Sequence, residues 1–353
     1  MPIAHVRGIN INYEVLGTGG PWVALSPGGR RALDNVKSLA QHVADAGYRV
    51  LIHDRRNCGF SDIAIGAEAS EYEVWAEDLY DLLSQLKALP AVVGGGSSGC
   101  RLSVLFALKY PRAVRALLLW RVTGGAFAAA RLTDNYYDKY IQAARDGGMA
   151  AVCALDHFKE RIEARPANRA VLMAMDPKTF IAAMGRWRAQ FAKGAELPII
   201  GASENDLNSI KIPTCIIPGN DKTHNHAIAE AAHRMIAGSE LHDLFPGDLD
   251  VDLVPPEDWA PKEGEMAAAH EDEIRGHISP ARGAGKVKSH EAQRRAHPHH
   301  PYRQPTAAPA GGGAHAARAE QSGSQSGRAQ GRGSARGRRR RCQASRLRAR
   351  HHQ

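Results

Sequence analysis

The chain is 353 residues long with a formal charge of +9, but the charge is uneven: residues 275–353 hold 18 Lys+Arg against two acids (Glu291 and Glu320), whereas residues 1–274 hold 28 against 35. An acidic body gives no reason to expect a nucleic-acid partner, no apolar stretch approaches the length of a membrane span, and Met1-Pro2-Ile3-Ala4-His5 lacks the basic-then-apolar start of a signal peptide. Five scattered cysteines (Cys58, Cys100, Cys153, Cys215, Cys342), none in a C-x-x-C pair, argue against a disulfide framework and make a reduced, cytoplasmic protein the default.

In chain order, residues 9–16 alternate apolar and polar and predict an edge strand. A Gly-rich turn leads to a buried strand at Trp22-Val23-Ala24-Leu25. It runs into Ser26-Pro27-Gly28-Gly29-Arg30-Arg31, where a glycine pair at a strand's carboxyl end can expose backbone N–H groups and form half of an oxyanion hole. The blander reading is an ordinary strand-to-helix turn. Residues 33–46 have helical spacing and stop at Gly47. Tyr48 to Ile52 is the next buried strand, ending in His53-Asp54-Arg55-Arg56-Asn57-Cys58-Gly59-Phe60-Ser61-Asp62. Trp75, Leu79, Leu82, Leu83 and Leu86 then mark one face of a helix.

The next stretch organises the rest. An apolar run from Ala91 ends in Gly95-Gly96-Ser97-Ser98-Gly99, a G-x-S-x-G pattern, and Leu102, Val104, Leu105, Phe106 and Leu108 continue as a helix. Strand, tight turn and helix are the context a nucleophile elbow requires, with small neighbours so that strand and helix can cross closely. Ser97 is therefore the candidate nucleophile, and the Ser98 N–H a candidate oxyanion donor. The alternative is a turn that cradles phosphate; a Walker loop is excluded, since no Gly-Lys-Ser/Thr follows, and a dinucleotide loop is not the expectation. Residues 114–120 make another buried strand. Alternating strands and helices predict a mostly parallel sheet covered on both faces, with the site beyond its carboxyl edge.

The ordered set Pro27-Gly28-Gly29, then Asp54-Arg55-Arg56-Asn57-Cys58-Gly59-Phe60-Ser61, then the Ser97 elbow resembles the α/β-hydrolase superfamily, in its esterase, lactonase and carbon–carbon hydrolase branch. The resemblance covers residues 8–265, most strongly the first 125. It departs from the usual pattern at Pro27, where the family has a His, and at Asn57-Cys58. The fold it implies is α/β, with a core over residues 1–125 and 206–268 and a helical cap over 126–205. That insertion is rich in aromatics and Met (Tyr136, Tyr137, Tyr140, His157, Phe158, Met173, Met175, Phe180, Met184, Trp187, Phe191), which can close an apolar pocket and exclude water. For any one of them, packing within the cap is the commoner role.

Residues 212–217 predict a buried strand ending in Pro218-Gly219-Asn220-Asp221-Lys222-Thr223-His224. The resemblance makes Asp221 the triad acid; the plainer reading is a cap for the helix that follows. The family's His is expected just after the last strand, placed at residues 240–245. There the chain reads Pro246-Gly247-Asp248-Leu249-Asp250-Val251-Asp252, with no His between His242, read as inside that strand, and His270. Three readings stay open. His224, three residues past Asp221, serves as base; Asp248 or Asp250 acts through a water; or the fold is kept, hydrolysis is lost, and the protein binds a small molecule or partner. His226 and His233 fit a helix surface. The last helix, starting near Pro255, looks truncated past Met266.

Residues 269–353 are expected to be a disordered basic tail, too poor in large apolar residues to offset ordering entropy. Arg338 to Arg341 could bind RNA or anionic surfaces nonspecifically, and the composition also fits a shifted reading frame. No metal or organic cofactor is expected, because no ligand cluster has suitable spacing. The function these residues point to is serine hydrolysis of a small ester, lactone or related carbonyl substrate.

Overall fold

Along each central strand, successive residues go to opposite faces, and the hydrophobic core divides accordingly. Val23 and Leu25, Val50 and Ile52, Val92, Leu118 and Cys215 join one apolar cluster; Ala24, Leu51, Val93, Leu117, Leu119 and Ile216 join the other. Such near-continuous apolar strands are what a sheet covered on both faces requires. The computed structural model describes residues 2–66 and 69–278.

The strands are β1 (Ile3–Val6), β2 (Ile9–Leu16), β3 (Trp22–Ser26), β4 (Arg49–His53), β5 (Ala91–Gly96), β6 (Val114–Trp120), β7 (Thr214–Ile217) and β8 (Glu240–Leu241). They form one sheet in the order β1-β2-β4-β3-β5-β6-β7-β8. The pairs β1/β2 and β2/β4 are antiparallel and the rest are parallel. The helices are α1 (Lys37–Asp45), α2 (Glu71–Gln85), α3 (Ser98–Lys109), α4 (Gly125–Thr133), α5 (Lys139–Ala154), α6 (Asp156–Ala164), α7 (Ala167–Met173), α8 (Pro177–Ala192), α9 (Glu204–Ser209), α10 (His226–Met235) and α11 (Glu263–Ile278). Helices α1 and α11 pack together on one face of the sheet; α2, α3 and α10 cover the other. The fold is that of a mostly parallel, doubly covered α/β sheet, as the alternation of elements predicted.

Helices α4 to α8 are inserted between β6 and β7. A one-turn π-helix, Asp134–Asp138, joins α4 to α5 and buries Tyr137. Phe158, Phe180, Met184, Trp187 and Phe191 are buried as packing residues of this insertion. No helix among the described residues is long and apolar enough to cross a membrane, and the four described cysteines, Cys58, Cys100, Cys153 and Cys215, are unpaired.

The structure differs from the sequence reading in four places. Ile9–Leu16 is not the edge strand, because β1 pairs outside it; Arg7 and Gly8 both take positive φ (47° and 79°), the geometry of a tight hairpin turn. The last strand ends at Leu241, so His242 lies beyond it. The final helix is not truncated at Met266. It continues to Ile278, and residues 269–278 therefore belong to the body rather than to the tail. Its inward face carries Ala269, fully buried His270, Glu273 and Ile274 where an unbroken apolar stripe was sought; His270 lies against the Trp120 ring, 5.5 Å between centroids. The remainder of the expected basic tail, with Arg338 to Arg341 and Cys342, lies outside the described residues.

Candidate active site

Strand β5 stops at Gly96 and α3 starts at Ser98, so Ser97 alone makes the turn, at φ 54° and ψ −110°. A non-glycine residue in that region is strained and persists only where its surroundings hold it. Here the Ser97 N–H donates to the Trp120 carbonyl (3.1 Å), and glycines on both sides admit close backbone. Gly94, Gly96 and Gly99 also spell G-x-G-x-x-G, the spacing of a dinucleotide loop. Their surroundings give a different reason for glycine: an added Cβ would run into Leu118 at Gly94, Trp120 at Gly96 and the Ser26 carbonyl at Gly99. They let the elbow pack.

His224 lies in the loop after β7. Its Nε2 is 2.9 Å from Ser97 Oγ, and its Nδ1 lies 2.9 and 3.1 Å from the two Asp221 carboxylate oxygens. The turn is closed locally: the His224 N–H donates to the Asp221 carbonyl at 3.1 Å and to Asp221 Oδ1 at 2.8 Å. Asp221 accepts further from the Val254 N–H (2.9 Å) and from Arg121 Nη2 (3.1 Å). It does not cap α10; Asn225 does, accepting from the Ala227 N–H. Both Asp221 and His224 are buried, whereas Ser97 is 9% exposed.

The electrostatics suit a neutral imidazole. Burial is the main cause that pushes the His224 pKa down to about 4; Arg121 and Arg101 push the same way, against the Asp221 hydrogen bond and charge. For Asp221, burial acts upward but is outweighed by the His224 hydrogen bond and charge, the Val254 N–H and Arg121, which hold the carboxyl well below its ordinary range. The acid is thus ionised and the imidazole neutral at pH 7, the states needed for proton abstraction from a hydroxyl.

The other acids named from sequence are elsewhere. Asp248 accepts from the His226 N–H (2.9 Å) and Asn225 Nδ2 (2.7 Å). Asp250, its side chain 95% exposed, pairs with Lys222 at 2.6 Å. His242 bonds back to the sheet through its N–H and faces Glu240 (3.4 Å). His226 and His233 are partly buried, against Glu230 and Asp243 and against Ser239 respectively.

The turn Pro27-Gly28-Gly29 lies beside Ser97: a Cβ on Gly28 would stand 3.3 Å from the Ser97 Cβ, and Gly29 has φ +52°. Arg55 Nη2 holds the Gly29 carbonyl (2.8 Å) and more weakly the Gly28 carbonyl (3.4 Å). In a planar trans peptide the Gly29 N–H points opposite to the Gly28 carbonyl, hence away from Arg55. The Ser98 N–H, first in α3, has no intrahelical acceptor.

Several residues here were not singled out from sequence. Thr123 Oγ1 lies 3.3 Å from Ser97 Oγ. Arg121 and Thr123 follow β6 at the sheet's carboxyl edge, and that position was the signal available. Arg101, fully buried, donates to Ser98 Oγ at 3.0 Å and lies over the Tyr72 and Phe191 rings. Ser97, Gly28, Gly29 and His224 border a cleft of about 730 Å³ whose other walls include Tyr136, Tyr140, His157 and five arginines. The expected apolar lining is present in Trp120, Leu132, Tyr136, Tyr140, Trp259 and Met266, and arginines from the turn after β3, the end of β6 and the inserted helices stand among these side chains. Among the described residues, no group of three or more His, Cys, Asp or Glu side chains is placed to hold a metal ion.

Residues 21–143 match the family model of the alpha/beta hydrolase fold. An uncharacterized hydrolase of Bacillus subtilis is 33% identical over 114 residues, which is 32% of this chain and 41% of that protein. A non-heme chloroperoxidase of Kitasatospora aureofaciens is 26% identical over 233 residues, 63% of this chain and 81% of its own length. Among solved structures, the enol-lactonase from Burkholderia xenovorans LB400 superposes with a TM-score of 0.52 at 20% identity, covering 77% of this chain and 99% of the enzyme.

Proposed function

We propose that this chain, which carries the α/β-hydrolase fold, is a serine hydrolase acting on a small ester, lactone or related carbonyl substrate. The observation that carries the reading is the chain of contacts Ser97 Oγ, His224 Nε2, His224 Nδ1 and Asp221, each link near 3 Å. His224 Nε2 takes the Ser97 proton as Oγ attacks the carbonyl carbon. Asp221 keeps the imidazole in the tautomer protonated at Nδ1 and stabilises the imidazolium that forms. The backbone N–H groups of Gly29 and Ser98 hold the oxyanion. Collapse of the tetrahedral adduct expels the leaving group, which takes the proton back from Nε2. Water then attacks the acyl-Ser97 ester with His224 again as base, and the acid leaves.

Labelling with a fluorophosphonate tests the reading, because the probe reacts only with an activated serine. Wild type is expected to label, and Ser97→Ala and His224→Ala are expected not to. Labelling that survives in His224→Ala would return the base to another residue. A wild type that does not label would point to a binding protein that kept the elbow without the chemistry.

A further inference from the structure

Five arginines border the cleft beside Ser97, in a body whose first 274 residues carry more acids than bases. Two of the five are neutralised from behind by buried carboxylates: Arg30 by Glu71 at 2.8 Å and Arg121 by Asp221 at 3.1 Å. A third, Arg161, pairs at 2.9 Å with Glu160, whose side chain is 70% exposed. The remaining two, Arg31 and Arg131, form no ion pair among the described residues. The Arg31 guanidinium donates to the Asn35 side-chain oxygen, at 3.0 Å. They reach the cleft from different elements, Arg31 from the turn after β3 and Arg131 from α4 of the inserted helices. The stem of Arg31 borders the proposed oxyanion turn, its Cγ 3.7 Å from where a Cβ on Gly29 would stand. The one other carboxylate of the lining, Glu263, opens α11 and pairs with neither arginine.

We infer that the acyl substrate of this site carries a carboxylate, held by Arg31 and Arg131 while its scissile carbonyl lies at Ser97. The inference rests on the hydrolase reading and names its substrate class. A guanidinium fork matches a carboxylate in two parallel hydrogen bonds, which are stronger than neutral ones. Five arginines against two carboxylates in the lining also leave a local excess of positive charge, which concentrates an anionic ligand. A neutral acyl chain lying in the same place would offer neither guanidinium group a charged partner. The arrangement therefore favours the anion and disfavours its neutral analogue.

The test compares hydrolysis of p-nitrophenyl hemisuccinate with that of p-nitrophenyl butyrate. Wild type is expected to prefer the anionic ester in kcat/KM by about tenfold or more, mainly through KM, as charge-assisted hydrogen bonds imply. The Arg31→Gln/Arg131→Gln double variant is expected to lose that preference. A wild-type ratio of one or less, or a preference that survives in the double variant, overturns the inference and leaves the hydrolase reading standing. A second arm does not need turnover: succinate and the neutral butyramide are titrated calorimetrically into Ser97→Ala, with and without the two arginine changes. Arginine-dependent binding of succinate but not of butyramide, together with a wild type that cleaves neither ester, would support the carboxylate site and overturn the hydrolase reading. No binding and no cleavage overturns both.

Discussion

Two loops open at the carboxyl edge of the sheet, after β7 and after β8, and only one delivers side chains to Ser97. The first places Asp221 and His224 within three residues of each other, and a backbone bond closes that turn. The second supplies backbone groups, the Val254 N–H to Asp221 and the Val254 carbonyl to Arg121. Its carboxylates are used elsewhere, Asp248 at the start of α10 and Asp250 on Lys222. Strand β8 is only two residues long, and the one histidine of its loop, His242, follows it directly and faces Glu240. The difference teaches that acid and base need not come from separate strands: a local turn can set their mutual geometry, and the sheet then has only to bring that turn to the elbow.

The largest expected effect separates the loops directly. His224→Ala should lower kcat on a cleaved ester by at least about 10⁴-fold, as loss of a triad member does. Adding Asp250→His should restore nothing, because that position points to solvent; recovery on that addition would give the base to the second loop. Asp221→Asn should keep the geometry but unsettle the tautomer, with a drop on the order of 10³- to 10⁴-fold in kcat. A loss under tenfold would mean that the acid is not the partner of His224.

The pH profile sharpens the same comparison. His224 must be neutral to act, and its pKa is pushed down to about 4. Activity should therefore hold from neutral pH downward and fall only as pH drops through about 4, not through the ordinary histidine value near 6.5. Removing the Arg121 charge in Arg121→Gln should move that limb upward; an unmoved limb would remove Arg121 from the electrostatics of the site. Fold stability needs a parallel melting curve. Burial, aided by Arg55 and His242 respectively, pushes His53 and His270 down to about 3. Both take up protons in the unfolded chain below about 6.5 but not in the native state, so stability should fall as pH drops from there toward 3.

The smallest effect belongs to the loop after β8. Asp248→Ala removes two hydrogen bonds at the start of α10 and should cost about 1 kcal/mol, the usual value of a helix-start partner. It should leave Ser97 labelling in place. Lost labelling without lost stability would give the second loop a chemical role after all.

Much of this was legible in the chain. The strands around the elbow were readable because a doubly covered sheet demands continuous apolar runs, and the elbow because its glycines leave room for close backbone. Asp221 and His224 were readable as residues at a strand's carboxyl end. The short β8 was not, since two paired residues carry no period. Nor was the continuation of α11, whose inward positions hold His270 and Glu273, residues that sequence patterning assigns to solvent.

By itself, then, the sequence determined the α/β alternation, the elbow at Ser97 and the set of groups gathered at one edge of the sheet, because periodicity and glycine sterics act over a few neighbouring residues. Only the tertiary structure decided that His224 rather than Asp248 or Asp250 stands 2.9 Å from Ser97 Oγ, and that arginines stand among the rings lining the cleft. Both depend on where loops and inserted helices far apart in sequence come to rest. Hydrogen-bonding reach and charge pairing are properties of distance in space, which residue spacing does not encode.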